Sequence, residues 1–136
     1  MKRTVVVLAD DLFWRTKIDH ATRSAQAPAV FLSDPALLTK TADPLKTALV
    51  LVDLTIRQDP FAAIAALKKG PKTKGIPVVG WYEHTRKDLE KKGTEAGCNE
   101  VMSRSSFSQK LADLIMTYAL PGATRTEEEE KELPEE

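Results

Sequence analysis

The sequence is poor in thiols and imidazoles: one cysteine, Cys98, and two histidines, His20 and His84, occur in 136 residues. A lone cysteine excludes an internal disulfide framework, and so few soft ligands exclude zinc and iron–sulfur clusters. A reduced, cytoplasmic setting is the expectation. Neither histidine has an acidic or nucleophilic partner at a recognisable spacing, so both are expected at the surface. Long apolar runs near the start are also missing. Lys2 and Arg3 precede residues 5–9 (VVVLA), but five apolar residues before Asp10 and Asp11 are too few for a signal sequence or a span. No membrane insertion is expected. Aromatic residues make up only 6%. None interleaves the basic cluster of Lys68, Lys69, Lys72 and Lys74, which reads as a solvated loop rather than a platform for nucleic acid.

Net charge is absent as well, at +0, but it is unevenly distributed. Residues 123–136 hold seven glutamates against Arg125 and Lys131, a balance of −5, which leaves +5 on residues 1–122. The acidic segment lacks the apolar content to offset the entropy of ordering, so a disordered tail is expected. A solubilising role is the simplest reading, with docking on the basic body or autoinhibition as the alternative. Residues 1–122 have the length and composition of one domain.

What is present is a repeated alternation of apolar runs and amphipathic segments. Residues 48–55 (ALVLVDLT) read as a strand buried on both faces that ends in one carboxylate, Asp53. Residues 4–9 (TVVVLA) form a second such run, ending in Asp10 and Asp11. Helix 12–25 follows, with Trp14, Ile18, Ala21 and Ala25 on one stripe. Residues 29–32 (AVFL) make a short strand, and Ser33 or Asp34 before Pro35 caps a short helix through Lys40. Asp59 and Pro60 repeat that signature before a helix with Phe61, Ile64 and Leu67 inward, ending near Gly70. A strand over 76–80 (IPVVG) is entered through Pro77. Thr85 with Asp88 predicts a capping box for a polar helix ending at Gly97. Residues 100–103 (EVMS) form the last strand. Ser106 with Gln109 predicts another capping box, for a helix with Phe107, Leu111, Leu114, Ile115 and Tyr118 on its stripe, stopped by Pro121 and Gly122. Five strand–helix alternations imply an α/β fold: a flavodoxin-like doubly wound five-stranded parallel sheet, order 2-1-3-4-5, with helices on both faces.

Open parallel sheets place chemistry beyond the carboxyl ends of their strands, where Asp10, Asp11 and Asp53 are expected. Judged singly, Asp10 or Asp11 is more often a helix N-cap than a ligand. If the fourth strand stops at Gly80, Trp81 and Tyr82 lie at the mouth of the acidic pocket.

Over residues 4–120 the sequence resembles the receiver domains of CheY-like response regulators, as an atypical or pseudo-receiver member. The likeness is carried by VVVLADDLF, by VLVDLT, by IPVVGWY and by TEAGCNEVMSRS. It implies a phosphoacceptor at Asp53 and magnesium held by Asp10, Asp11, Asp53 and the backbone carbonyl of Thr55. Two positions depart from the family's pattern: Tyr82 stands in place of a small Ser or Thr, and Arg104 in place of lysine. Val101 replaces the family's aromatic switch residue, and Cys98 takes a position that is usually small, which favours packing over redox chemistry. Three converging carboxylates repel by about 4 kcal/mol per close pair at an effective dielectric near 20. Either magnesium or Arg104, as a built-in counter-ion, offsets that repulsion.

The resemblance implies a stand-alone signalling module of a two-component phosphorelay, not an enzyme beyond accepting a phosphoryl group. Its implied partners are a histidine kinase or phosphotransfer protein and a downstream protein, with a homodimer left open. A phosphorylation-independent pseudo-receiver is the alternative. A magnesium-dependent phosphatase with an aspartate nucleophile fits less well, because Thr55 occupies the position where such enzymes carry a second acid.

Overall fold

A computed structural model describes residues 3–119; the acidic segment and the Pro121–Gly122 stop lie outside them. The apolar runs pair as parallel strands: β1 (Thr4–Leu8), β2 (Ala29–Leu32), β3 (Thr47–Asp53), β4 (Val78–Tyr82) and β5 (Glu100–Ser103). Their order in the sheet is 2-1-3-4-5, as the alternation implied. Helices α1 (Leu12–Ser24), α2 (Leu38–Thr41, entered by a 3-10 turn at Pro35–Leu37), α3 (Phe61–Lys69), α4 (Lys87–Ala96) and α5 (Arg104–Tyr118) connect or follow the strands. All seven residues of β3 are buried, the expected state of a central strand covered on both faces.

Side chains alternate across a strand, and this splits the core in two. Val5, Val7, Leu49, Leu51, Val79 and Trp81 meet Trp14 and Ile18 of α1 and Phe107, Leu111 and Ile115 of α5. Val6, Leu8, Val50, Val52, Val78 and Tyr82 meet Leu38, Ile64, Leu67 and Leu89 from α2, α3 and α4. The stripes expected on the first, third and last helices are therefore the buried faces. His20 and His84 are exposed. No helix among the described residues is long and apolar enough to cross a membrane.

The fourth strand is displaced from its expected span of 76–80. Ile76 is held in the preceding turn, its N–H donating to the Thr73 carbonyl at 3.0 Å, and Pro77 has no N–H to give. At the other end Trp81 and Tyr82 pair with Met102 and Ser103 of β5. Neither aromatic sits at a pocket mouth: Trp81 is 0% and Tyr82 3% exposed, on opposite faces of the sheet.

Both expected capping boxes are absent. Ser103 caps α5, its hydroxyl accepting from the Ser106 N–H at 3.3 Å, so the helix begins three residues earlier than the Ser106 signal indicated. Arg86 occupies the N-cap of α4 without a side-chain cap bond; its guanidinium instead grips Asp88 through two contacts of 3.1 Å. At Asp59 the carboxylate accepts from the Phe61 N–H at 2.8 Å, as the Asp–Pro signature suggested. Asp34 behaves likewise toward the Ala36 N–H, at 2.9 Å.

Candidate functional site

The carboxyl edge of the sheet is where β1, β3 and β5 deliver Asp10, Asp53 and Arg104. Asp53 ends β3 and pairs across the ladder with Trp81. It is 3% exposed, the one buried acidic side chain among the described residues. Burial raises the pKa of its carboxyl above the ordinary aspartate range, against the hydrogen bonds from Thr55 and the positive charge of Arg104; Asp10 adds to the rise. These opposing influences place Asp10 and Arg104 within electrostatic reach of Asp53.

Thr55 is the residue the sequence reading undervalued. Its N–H donates to Asp53 Oδ1 at 2.9 Å and its hydroxyl to the same oxygen at 2.6 Å. Two donors on one oxygen fix the carboxylate plane and leave the hydrogen bonds to Asp53 on Oδ1 alone among the described residues. A Thr two residues after an Asp at a strand end is a local turn pattern, so the signal was present, but only the backbone carbonyl of Thr55 was singled out from it.

Asp11 has a local task beside this cluster. It is the N-cap of α1, with Oδ1 accepting from the Phe13 N–H at 2.7 Å and the Trp14 N–H at 3.4 Å, the role that cap chemistry alone suggested. Asp10 is exposed. Among the described residues no three Asp, Glu, His or Cys side chains are gathered closely enough to hold a metal ion. The donors that remain are of the hard, oxygen type that suits magnesium: Asp10, Asp53 and the Thr55 carbonyl. Asp11 can join them through Oδ2, since the helix cap uses Oδ1 alone.

Arg104, at the first position of α5, has a buried Nε with no acceptor among the described residues. A buried donor without a partner is costly, and here it belongs to the cation that acts on Asp53. Tyr82 does not line the site. It packs under α4 among Val52, Leu54 and Leu89, where burial and the neighbouring Glu90 carboxylate push its phenol pKa up, with Lys87 opposing. Glu90 and Lys87 had no sequence signal, because only the packing of α4 on β4 brings them to this hydroxyl. Val101 is partly buried in the same layer.

Beside Asp53, beyond Leu54 and Thr55, lies a cleft of about 450 Å³ between the β3–α3 turn and α4, bordered by Arg57, Pro60, Phe61, Arg86 and Lys92. Cys98 takes no part in the site. Burial pushes its thiol pKa up to about 11, as befits the packing role expected of it.

No protein-family model matches the chain, and no curated protein matches it. Solved structures do. The receiver domain of a sensor histidine kinase from Pseudomonas aeruginosa, with magnesium coordinated in its active-site cleft, superposes with a TM-score of 0.74 at 13% identity, covering 88% of this chain and 98% of that one. The phosphorylated cyanobacterial phytochrome response regulator RcpA superposes at 0.67 with 19% identity, covering 85% and 89%. A response regulator from Burkholderia multivorans does so at 0.70 with 20% identity, covering 90% and 98%. The strand order, the helices on both faces and these superpositions together establish that this chain has the CheY-like receiver fold of response regulators.

Proposed function

We propose that the chain is a receiver-like signalling module in which Asp53 accepts a phosphoryl group and the modified domain acts by binding a partner protein in the cytoplasm. The observation that carries this reading is the isolated, buried carboxylate of Asp53 at the carboxyl end of the central strand, faced by Arg104. Phosphoryl transfer at this site is a single displacement. The Asp53 oxygen opposite the Thr55-bound Oδ1 attacks phosphorus, the bond from phosphorus to the donor's leaving atom breaks, and the leaving group departs with that electron pair. Thr55 holds the carboxylate in orientation and disperses charge from Oδ1. Arg104 supplies a fixed cation and an unused N–H to a phosphoryl oxygen. Asp10, Asp11 through its Oδ2, Asp53 and the Thr55 carbonyl would hold magnesium, which neutralises charge on the phosphoryl oxygens when bound. That two superposed structures are described as magnesium-bound and phosphorylated supports the same chemistry here. The phosphodonor is a histidine kinase or phosphotransfer protein, and the domain does no turnover chemistry of its own.

A constitutive pseudo-receiver is the second reading, and one observation favours it: Tyr82 fills the layer under α4 instead of presenting a small hydroxyl to Asp53. Intact-mass measurement after treatment with a small phosphodonor and magnesium separates the two. One added phosphoryl on the wild-type chain and none on Asp53→Asn supports the switch. An unmodified, folded wild type leaves the binding module as the function.

A further inference from the structure

In a sheet of parallel strands each following helix runs back, so helix C-termini and strand starts share the amino edge, opposite Asp53. Helix C-termini favour cations, and α3 closes on Lys68 and Lys69, while α2 carries Lys40 in its last turn. The turns entering β3 and β4 add Lys46, Lys72 and Lys74. Lys68 is committed inside the fold, its Nζ donating to the carbonyls of Ile76 at 2.7 Å and Lys74 at 3.3 Å. The other five lysines are exposed. The ion pairs among the described residues, Arg23–Asp19 and Arg86–Asp88, include none of them.

Helix α5 ends at this same edge. Ala119, just past its last residue, is buried in the core layer with Ala27 and with Ala48 near the start of β3. Tyr118, in the last turn, lies close enough to Glu100 at the start of β5 for that carboxylate to influence its phenol. The described chain thus ends at the edge that carries the lysines, and the sequence beyond it includes residues 123–136, with seven glutamates and a balance of −5.

We propose that residues 123–136 dock on the amino edge of their own chain, their glutamates pairing with Lys46, Lys69, Lys72 and Lys74. Glu127 lies eight positions beyond Ala119, a reach of up to about 28 Å when extended. Glu100 repels the acidic run from the β5 side and directs it toward β3 and α3. Pairs between exposed charges are individually weak and screened by salt, so the glutamates exchange among the lysines instead of holding fixed partners. The basic edge is thereby covered by the chain itself and withheld from other polyanions, at the end of the molecule remote from Asp53.

Carbodiimide cross-linking of the full chain, read by peptide mass spectrometry, tests this. An equal mixture of isotopically light and heavy protein is used, and yields are normalised to cross-links within the body. The expected result is links from residues 127–136 to Lys46, Lys69, Lys72 and Lys74 within single molecules. Their yield should fall about tenfold between about 0.01 M and about 1 M salt, over which the screening length drops from about 30 to about 3 Å. Replacing Lys69, Lys72 and Lys74 by Glu should also lower the yield of links to Lys46, which keeps its amine, with circular dichroism confirming that the variant is folded. Links spread evenly onto Lys17, Lys87 and Lys110, an absence of tail links, or tail links that are mixed light–heavy in about half of all cases, the share expected when every link joins two molecules, would each overturn the proposal.

Discussion

At Asp53 a buried carboxylate is held by one neighbour, Thr55, and opposed by its own desolvation. Because its pKa when folded lies above the 3.8 of an unfolded aspartate, the stability tied to its protonated form is fully present below 3.8 and is lost as pH rises through the folded value. At neutral pH the ionised group is therefore a net cost. Asp53→Asn should raise stability at about pH 7 by on the order of 1 kcal/mol, a gain that shrinks as the pH approaches 3.8. Thermal melts of both proteins across that range check it; a gain that does not vary with pH would mean that desolvation of the charge is not its source. Cys98 offers a second test. With its thiol pushed up to about 11, little thiolate exists near neutrality, so alkylation of the folded protein should be about two orders of magnitude slower than that of a free thiol. Mass spectrometry of a timed iodoacetamide reaction, with and without denaturant, measures the difference.

Among the elements, α4 shows how a short side chain and a long one share a layer. Leu54, the residue after Asp53, is wedged where a Cβ on Gly93 would approach its Cδ1 to 2.8 Å and a Cβ on Gly80 would meet it at 3.0 Å. Leu54 is 2% exposed and cannot retreat, so Gly93→Ala should destabilise by about 1 kcal/mol or more despite the better helix propensity of alanine. Denaturant titration should show the penalty shrink when Leu54→Val is combined with it, since the two residues share one space. Tyr82 packs in the same layer. Tyr82→Thr, which a pocket-mouth residue would tolerate, should here cost about 3–5 kcal/mol by opening a cavity, whereas Tyr82→Phe should cost about 1 kcal/mol for the lost hydroxyl contact. If Tyr82→Thr melts like wild type, the ring is not the packing element described above.

For the whole molecule, the carboxyl edge gathers the acids and Arg104 while the amino edge gathers lysines, and metal binding is expected only at the former. Magnesium that binds the folded chain alone should raise its melting temperature; at tenfold excess over Kd the gain is about 1.4 kcal/mol, a shift of a few degrees. Melts at rising magnesium, repeated on Asp53→Asn, measure it, and a flat wild-type titration would remove the metal from the site. Much of this architecture was determined by local sequence. Buried runs of Val and Leu, inward stripes at helical spacing and the Asp34 and Asp59 caps depend on neighbours a few residues apart, so the elements could be read directly, and the crossover rules for alternating strands and helices then supplied the strand order. The role of Asp11 was legible for the same reason, as one of two local readings. The tertiary structure decided what depends on distant residues. Pairing with β5 carried β4 through Trp81 and Tyr82 and buried both rings, although Gly80 read as its end. Ser103 took the cap of α5 from Ser106, because β5 sets where the chain turns. The approach of Arg104 and Asp10 to Asp53 comes from three separate strand ends meeting at one edge, and a one-dimensional pattern carries no distance between them.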